Sequence, residues 1–200
     1  MANGKVVTGY SLPHVALYNA NGGTPTYSGG IPLARGINES MDIETGDSTS
    51  FYADNVLAES VGGVFTGATI TMTVDGLKSA ARQLIMGLPA ASEITVGQQT
   101  VSVYDYDDRQ VIPYVGIGFI VRYMENGVTT YAPVVFTKAI FNIDPLDAAT
   151  QEEEIEFQTT ELEATIMRDD SANHTWRRIA DDQATEAEAL AVLKSMLNIA

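Results

Sequence analysis

Residues 51–87 read FYADNVLAESVGGVFTGATITMTVDGLKSAARQLIMG, and their periodicity changes once along the stretch. The part from Val61 to Val74 is rich in Gly, Thr and Val, which predicts two strand pieces around Gly62-Gly63 and Gly67. Over 69–74, threonines alternate with large apolar residues, as is typical of a strand with one buried face. The stretch contains no nucleophile elbow, metal-ligand cluster or phosphate loop, so it is typical of a structural element and not of an active site.

An amphipathic helix is predicted to follow, over about 77–87. Its apolar side chains recur at the spacing that places them on one face, at Leu77, Ala80, Ala81, Leu84 and Ile85. Asp75 is the predicted N-cap, and Gly87 with Pro89 is expected to end the helix. A second helix is predicted at the C-terminus, over about 185–198, with Thr185 as its N-cap.

Most of the remaining sequence is typical of strands, and we predict them at 6–8, 15–18, 36–44, 101–104, 116–123, 128–143 and 152–167. The segments 19–36 and 45–50 are predicted to be loop excursions. Glu125-Asn126-Gly127 predicts a tight hairpin, because Asn-Gly favours positive φ angles. Pro133 predicts a bulge or an edge. The expected fold is mainly β with α, a β-sandwich or barrel over 1–168 followed by a helical extension over 169–200.

Composition limits the class of protein. The 200 residues are 45% hydrophobic with a mean hydropathy of +0.01, which suits a globular chain with a sizeable core. No apolar run reaches the ~20 residues of a membrane span. The first residues lack the apolar core of a signal peptide, so synthesis in the cytosol is expected. The chain has no cysteine, which excludes disulfides and thiolate chemistry.

The charge balance is strongly acidic, with 26 acidic and 11 basic residues and a formal net charge of −15. Binding to nucleic acid through phosphates needs clusters of Lys and Arg, so the balance argues against it. Two interpretations stay open at this point. The charge either serves solubility, or it provides a surface along which DNA slides without sticking.

The candidate metal and catalytic groups are weak. His14 and His174 lie far apart and neither has a neighbouring ligand at metal-site spacing. The acidic run 151–154 lacks the loop with a central Gly that calcium hands use. The carboxylates of 105–108 have no second strand end to pair with for glycoside hydrolysis, and 116–118 (Gly-Ile-Gly) lacks the third glycine of a dinucleotide fingerprint. We therefore expect no metal, no cofactor and no enzymatic activity.

Trp176-Arg177-Arg178 is a locally basic patch in an acidic chain. An aromatic ring with two arginines can stack on a nucleic acid base. Against the net charge, a contact to Asp169-Asp170 or to a neighbouring subunit is the favoured interpretation, since Trp and Arg are enriched in interface hot spots.

Several motifs occur in an order that resembles one family. They are Tyr18 before a Gly/Thr/Pro loop, Ile31-Pro32-Leu33, the strand ending near Glu44, Phe51-Tyr52-Ala53-Asp54-Asn55, the Thr-Ile-Thr-Met-Thr-Val strand, the helix ending in Met86-Gly87, Gly118-Phe119, Phe136-Thr137-Lys138-Ala139 and the strand 157–164. Over roughly 6–168 the chain resembles the major tail tube proteins of long-tailed phages, in the phi-thirteen-like branch. The sequence 51–55 is the most specific of these motifs, and the segment after Arg168 fits the family less clearly.

The resemblance implies a β-sandwich or barrel of tail-tube type, with one packed helix. It also implies a structural virion protein that forms hexameric rings, stacked into a tube in the virion tail after assembly in the host cytoplasm. The implied partners are further copies of the chain, the tape-measure, terminator and distal tail proteins, and DNA in transient, non-specific passage. No membrane partner is implied.

The subunit interface is expected around an extended loop or hairpin within 39–59 and at the basic patch. The predicted interface residues are Glu39, Met41, Ile43, Phe51, Tyr52, Asp54, Asn55, Trp176, Arg177 and Arg178. Two alternatives stay open: a tube protein of a contractile injection system, and an acidic β-sandwich module that binds carbohydrate. The latter predicts a row of exposed aromatics, for which the candidates are Tyr104, Tyr106, Tyr114 and Tyr123.

Overall fold

The computed structural model describes residues 4–143, 146, 148–150 and 157–199, and strands dominate this part of the chain. The strands are β1 (Val6–Asn21), β2 (Thr24–Pro32), β3 (Gly36–Thr45), β4 (Thr49–Ala53), β5 (Val56–Val61), β6 (Phe65–Val74), β7 (Ser92–Val96), β8 (Gln99–Val103), β9 (Val115–Glu125), β10 (Val128–Phe141), β11 (Thr160–Met167) and β12 (Arg177–Ile179). The helices are α1 (Ser79–Met86) and α2 (Glu186–Met196). The predicted mainly β class with helices is confirmed.

Eight strands form one antiparallel sheet in the order β2-β1-β9-β10-β11-β6-β3, with β12 pairing β10 beside this path. The pairs β4-β5 and β7-β8 are separate two-stranded hairpins. The sheet curls, so that Gly36 at the start of β3 lies against the ring of Tyr10 in β1. A Cβ at Gly36 would lie 2.0 Å from that ring, which only glycine allows.

β1 differs from the prediction of two short strands, because it runs as one strand of 16 residues. Its pairing with β9 shifts register between Val7 and Gly9 and again between Ser11 and His14. Leu12, at the second shift, has a φ of +53°. Such irregularities bend a strand and increase its twist. They interrupt the alternation of side chains, which explains why the sequence pattern divides β1 into separate pieces.

The segment 19–36 was predicted to be an excursion, and this is wrong. Most of it is β2, which pairs with β1 from His14 to Asn21. Gly22 and Gly23 form the turn, with φ angles of +64° and +80°. Two successive positive φ angles match the right-handed twist of a hairpin, so the glycines close a tight turn here.

β9 and β10 form the centre of the sheet. Their connection through Asn126 and Gly127 has φ angles of +50° and +79°, which confirms the predicted tight hairpin. Neither the bulge nor the edge predicted at Pro133 is present, because the register of this pair shifts between Phe136 and Ala139 and β10 is an inner strand between β9 and β11. Pro133 is buried in β10, and its carbonyl accepts a hydrogen bond from the Ala180 backbone near the short strand β12.

Two hydrophobic clusters cover opposite faces of β1, β9 and β10. The larger joins the inner face of the sheet to α1 and Leu88. The smaller lies between the other face and α2, with Ala189, Leu193 and Leu197 fully buried. Adjacent residues of a strand point to opposite faces, and here both faces are covered. β9 is therefore buried continuously from Val115 to Ile120.

The ends of α1 agree with the prediction only in part. The helix begins at Ser79, and its N-cap is Lys78 without a capping side chain, so the predicted N-cap Asp75 is wrong. Asp75 instead accepts hydrogen bonds from the backbone N–H and Nε of Arg35, at 2.9 and 2.5 Å. Gly87 ends α1 in the left-handed conformation, as predicted.

The C-terminal helix is confirmed, with Thr185 and Glu188 forming a reciprocal capping box. The division at 168/169 stays a prediction, although β12 pairs with β10 and α2 packs on the same sheet. Of the predicted strand 152–167, residues 152–156 lie outside the described residues and 157–159 are not in a strand. The rest forms β11, where Leu162, Ala164 and Ile166 are buried on one face. The acidic run 151–154 lies outside the described residues.

Candidate assembly surface

The β4-β5 hairpin carries the most specific part of the predicted interface, 51–55. Its chain reversal is made by Asp54 and Asn55, with φ angles of +50° and +65°. Consecutive positive φ angles at Asp and Asn are typical of a two-residue hairpin turn. Every residue of both strands is exposed, so the hairpin stands away from the core of the sheet. The predicted loop tip at 45–50 is instead the entry into this hairpin.

Large apolar side chains lie on both faces of the hairpin. Tyr52 pairs with Leu57 on one face, where they are 64% and 51% exposed. Phe51 and Val56 lie on the other face, and they are 63% and 65% exposed. An isolated two-stranded hairpin is marginal in water, and exposed apolar patches mark interaction sites. The arrangement therefore favours a hairpin that is covered by a partner.

The charge of this segment has one sign. Between 46 and 64 the chain contains Asp47, Asp54 and Glu59, and it contains no lysine or arginine. Glu59 pairs with Phe51 across the hairpin, so a carboxylate lies beside an exposed aromatic ring. A surface that complements this hairpin is apolar with a basic margin.

The β3 residues of the predicted interface lie at the edge of the sheet. Glu39, Met41 and Ile43 pair with the buried residues of β6, so they point toward the core side. Met41 packs against the larger cluster, whereas Ile43 is 47% exposed. Burial raises the pKa of the Glu39 carboxyl, and this effect is partly offset by Arg177. Their role at an interface stays a prediction.

The basic patch is held by stacking. The Trp176 ring lies parallel to Phe65 with their centroids 4.2 Å apart, and Arg177 covers Trp176 at 4.5 Å. Arg177 and Arg178 are exposed on β12. Arg177 therefore lies on a fixed aromatic base, whereas Arg178 is the next residue of the strand and points to its other face. The role of the patch as a subunit contact stays a prediction.

The predicted contact of this patch with Asp169-Asp170 is wrong. Asp170 instead accepts hydrogen bonds from Lys138 Nζ at 2.8 Å and from the Tyr18 hydroxyl at 2.7 Å. These two donors, Lys138 first, lower the pKa of the Asp170 carboxyl. Asp169 is buried and binds the backbone and hydroxyl of Ser171. Asp169 therefore orders its own loop, and Asp170 joins that loop to β10 and β1.

A second exposed hairpin, β7-β8, was predicted only as its second strand. Its turn contains Gly97 with a φ of +66°. Register places Ile94 opposite Val101 on one face, and these are 50% and 38% exposed. The missed signal was the alternation Ile94, Val96 before Gly97, which is the pattern of a first hairpin strand.

An apolar groove opens between the start of α1 and the segment that joins β2 to β3. It has a volume of about 670 Å³. Its lining residues are Leu12, Ile31, Pro32, Leu33, Ala34, Arg35, Asp75, Gly76, Lys78, Ala80 and Ala81. Sequence reasoning missed this groove, because its walls come from distant parts of the chain.

The other candidate groups, which are the histidines, the acidic residues and the tyrosines, do not come together in one site. His14 is buried and its Nδ1 lies 2.7 Å from the Leu12 carbonyl, while His174 is exposed. Across the described residues, no group of three or more acidic or histidine side chains could hold a metal ion. Tyr104 packs against the larger cluster, whereas Tyr106 and Tyr114 are 50% and 44% exposed. The predicted row of four exposed tyrosines is therefore not complete.

The sequence comparisons do not indicate what these surfaces bind. A scan against models of known protein families found no match, and a search of curated proteins found none. In the part of the chain that the structure describes, no helix is long and apolar enough to cross a membrane.

Proposed function

We propose that this chain is the structural subunit of a tube, the major tail tube protein of a long-tailed phage. The observation that carries the proposal is the β4-β5 hairpin, which exposes Phe51, Tyr52, Val56 and Leu57 to water. Such a hairpin has too little burial of its own to be stable alone, and a neighbouring copy would supply that burial. The ordered motifs that resemble the tail tube family support the same assignment.

The two edge strands of the sheet are suited to a repeated assembly. β2 and β3 are the two edge strands of this sheet, and on its outer side neither pairs with a further strand among the described residues. Open strand edges are liabilities in a monomer and are satisfied when another chain covers them. Contacts between unlike surfaces of identical copies generate rings when they close and filaments when they do not. A tube of stacked rings uses both kinds of contact.

The charge of the chain supports a conduit for DNA. A net charge of −15 repels phosphates, so the wall of a tube built from it offers few contacts that would hold a polyanion. Attraction would slow the passage of DNA, because each phosphate contact must be broken as the strand moves. The proposed location is the virion tail, and the proposed further partners are the other tail proteins.

Negative-stain electron microscopy of the purified chain over a concentration series tests this proposal. Hollow tubes or six-membered rings that appear as the concentration rises are the expected result. Particles of single-chain size at every concentration would contradict it. A glycan-binding screen on the same sample tests the carbohydrate-binding alternative, which requires specific retention on a sugar.

A further inference from the structure

The groove beside α1 is built and held in place by the chain itself. The N–H of Asp75 donates to the Arg35 carbonyl at 3.1 Å, and the Asp75 carboxylate accepts from the backbone and side chain of Arg35. Leu33 donates its N–H to the Pro13 carbonyl at 2.8 Å. These bonds tie the β2–β3 connection to β1 and to the end of β6. The groove is therefore preformed, which lowers the ordering cost of binding.

The floor and the margin of the groove differ in character. Leu33 and Ala81 are almost fully buried in the floor, at 2% exposure each. Arg35 and Lys78 lie at the margin, and both are exposed. One acidic residue, Asp75, is among the lining residues and is bound to Arg35. Because Asp75 neutralises Arg35, the uncompensated charge among the lining residues is that of Lys78, which leaves this margin with one net positive charge in a chain of net charge −15.

The β4-β5 hairpin has the complementary properties. It exposes large apolar side chains, and its charged residues are acidic. An apolar floor with a basic margin would cover the first and pair with the second. Complementary charge selects a partner and its orientation more than it adds raw affinity. The apolar side chains would then provide most of the binding energy.

We propose that the groove beside α1 receives the β4-β5 hairpin of a second copy of this chain. The inference rests on the proposed function and deepens it, because it assigns the acceptor surface for the hairpin. Donor and acceptor are different surfaces of the same chain, so each copy can give one hairpin and receive another. That contact is heterologous and repeats without limit unless the rotation closes a ring.

Cysteine cross-linking tests the contact directly, because the natural chain has no thiol. One protein carries Ala58→Cys in the hairpin, and a second carries Ala80→Cys in the groove. Both substitutions are small and lie at exposed positions. The two proteins are mixed while dilute, concentrated, and treated briefly with a short bismaleimide. Mass spectrometry then counts the mixed cross-linked dimer.

A matched control replaces the groove cysteine with Ser102→Cys, at an exposed position on the β7-β8 hairpin. Docking raises the local concentration of one thiol near the other, so we expect the Ala58–Ala80 cysteine pair to give about tenfold more mixed dimer than the control pair. Leu57→Cys serves as a second donor and is expected to give the same preference. Equal yields for the groove and control pairs with both donors would overturn the proposal.

The outcome separates this inference from the proposed function. Tubes without a preferred groove cross-link would overturn the docking and leave the tube assignment standing. A preferred cross-link in a sample that forms closed oligomers but neither tubes nor six-membered rings would support the docking and contradict the tube. Lys78→Glu provides a second readout without any cysteine. It should lower the tube yield, whereas the same change of charge at exposed Arg109 should not.

Discussion

Gly118 in β9 lies so close to Leu193 in α2 that a Cβ on the glycine would be 2.6 Å from Leu193 Cδ1. Gly116 has the same relationship to Leu197, at 2.9 Å, and to the Tyr27 ring, at 2.5 Å. Real Cβ atoms do not approach other atoms so closely, so two glycines on one face of β9 allow α2 to pack on the sheet. The C-terminal helix α2 therefore packs on the Gly-Ile-Gly run at residues 116–118.

Gly118→Ala is expected to lower the free energy of unfolding by about 1–3 kcal/mol, the usual cost of overpacking a core. The added methyl group would push Leu193 and Val135 apart, since both lie within 3.2 Å of its position. Urea unfolding followed by circular dichroism measures the change. Gly62→Ala is the control, because nothing lies within 4 Å of its Cβ position, and it should change stability by less than about 0.5 kcal/mol. Equal losses in the two variants would contradict the packing argument.

Local rules predicted those elements whose signals lie within a few residues. The alternation over 69–74, the Asn126-Gly127 turn and the capping box at Thr185 each depend on neighbours in sequence, and each is present. The C-terminal helix was therefore predictable, but the surface of the sheet on which it packs was not. The partner of Gly118 lies 75 positions further along the chain, and no local pattern encodes that pairing.

The candidate assembly surface was predicted only in part, because its local turn is encoded by neighbouring residues and its exposure is not. The motif at 51–55 was predicted as part of the interface through its resemblance to the tail tube family, and its turn residues are those that accept positive φ angles. That every residue of its strand is exposed depends on which surfaces the rest of the fold covers, and distant residues decide this. Asp75 shows the opposite failure, because it precedes a helix in sequence while its carboxylate is bound to Arg35 in a distant strand connection.

Two tyrosines are expected to respond oppositely to loss of the hydroxyl group. The Tyr10 hydroxyl is buried and has no hydrogen-bond partner among the described residues, whereas the Tyr27 hydroxyl donates to the Thr137 carbonyl at 2.9 Å. Tyr10→Phe should raise the free energy of unfolding by about 1 kcal/mol, since it removes an unsatisfied polar group. Tyr27→Phe should lower it by about 1–3 kcal/mol, since it leaves a buried carbonyl unpaired. Urea titration of both variants tests this, and a loss of stability in both would refute the assignment of Tyr10.

Asp170 is expected to make stability depend on acidic pH. Its donors Lys138 and Tyr18 lower the pKa of the carboxyl below the ordinary value of 3.8. A group with a lowered folded-state pKa stabilises the fold above its unfolded pKa, and the contribution disappears as the pH falls through the folded pKa. Wild type should therefore be more stable than Asp170→Asn at pH 6, and the difference should vanish as the pH falls below that folded pKa. Chemical unfolding at several pH values measures it.

The control for this pH dependence is Asp170→Asn in a Lys138→Gln background. Removing the larger of the two causes should shrink the pH-dependent difference, because the remaining donor is the Tyr18 hydroxyl alone. Burial raises the pKa of Tyr18 to about 12, so this hydroxyl stays protonated over the whole acidic range. An unchanged pH dependence in the Lys138→Gln background would show that the ion pair is not its source.

The double substitution Tyr52→Ser/Leu57→Ser is expected to separate assembly from folding. The pair lies on one face of the β4-β5 hairpin and is mostly exposed, so the unfolding free energy of the single chain should change by less than about 0.5 kcal/mol. In an assembled contact, full burial of each side chain would contribute about 1.5–3 kcal/mol. The critical concentration for assembly should therefore rise at least about tenfold. Light scattering over a concentration series measures this.

The control is Val111→Ser/Val128→Ser, which removes two valines that are 74% and 63% exposed outside the hairpin and should leave the critical concentration unchanged. Normal assembly of the hairpin variant would mean that another surface, such as the edge strand β3, joins the copies.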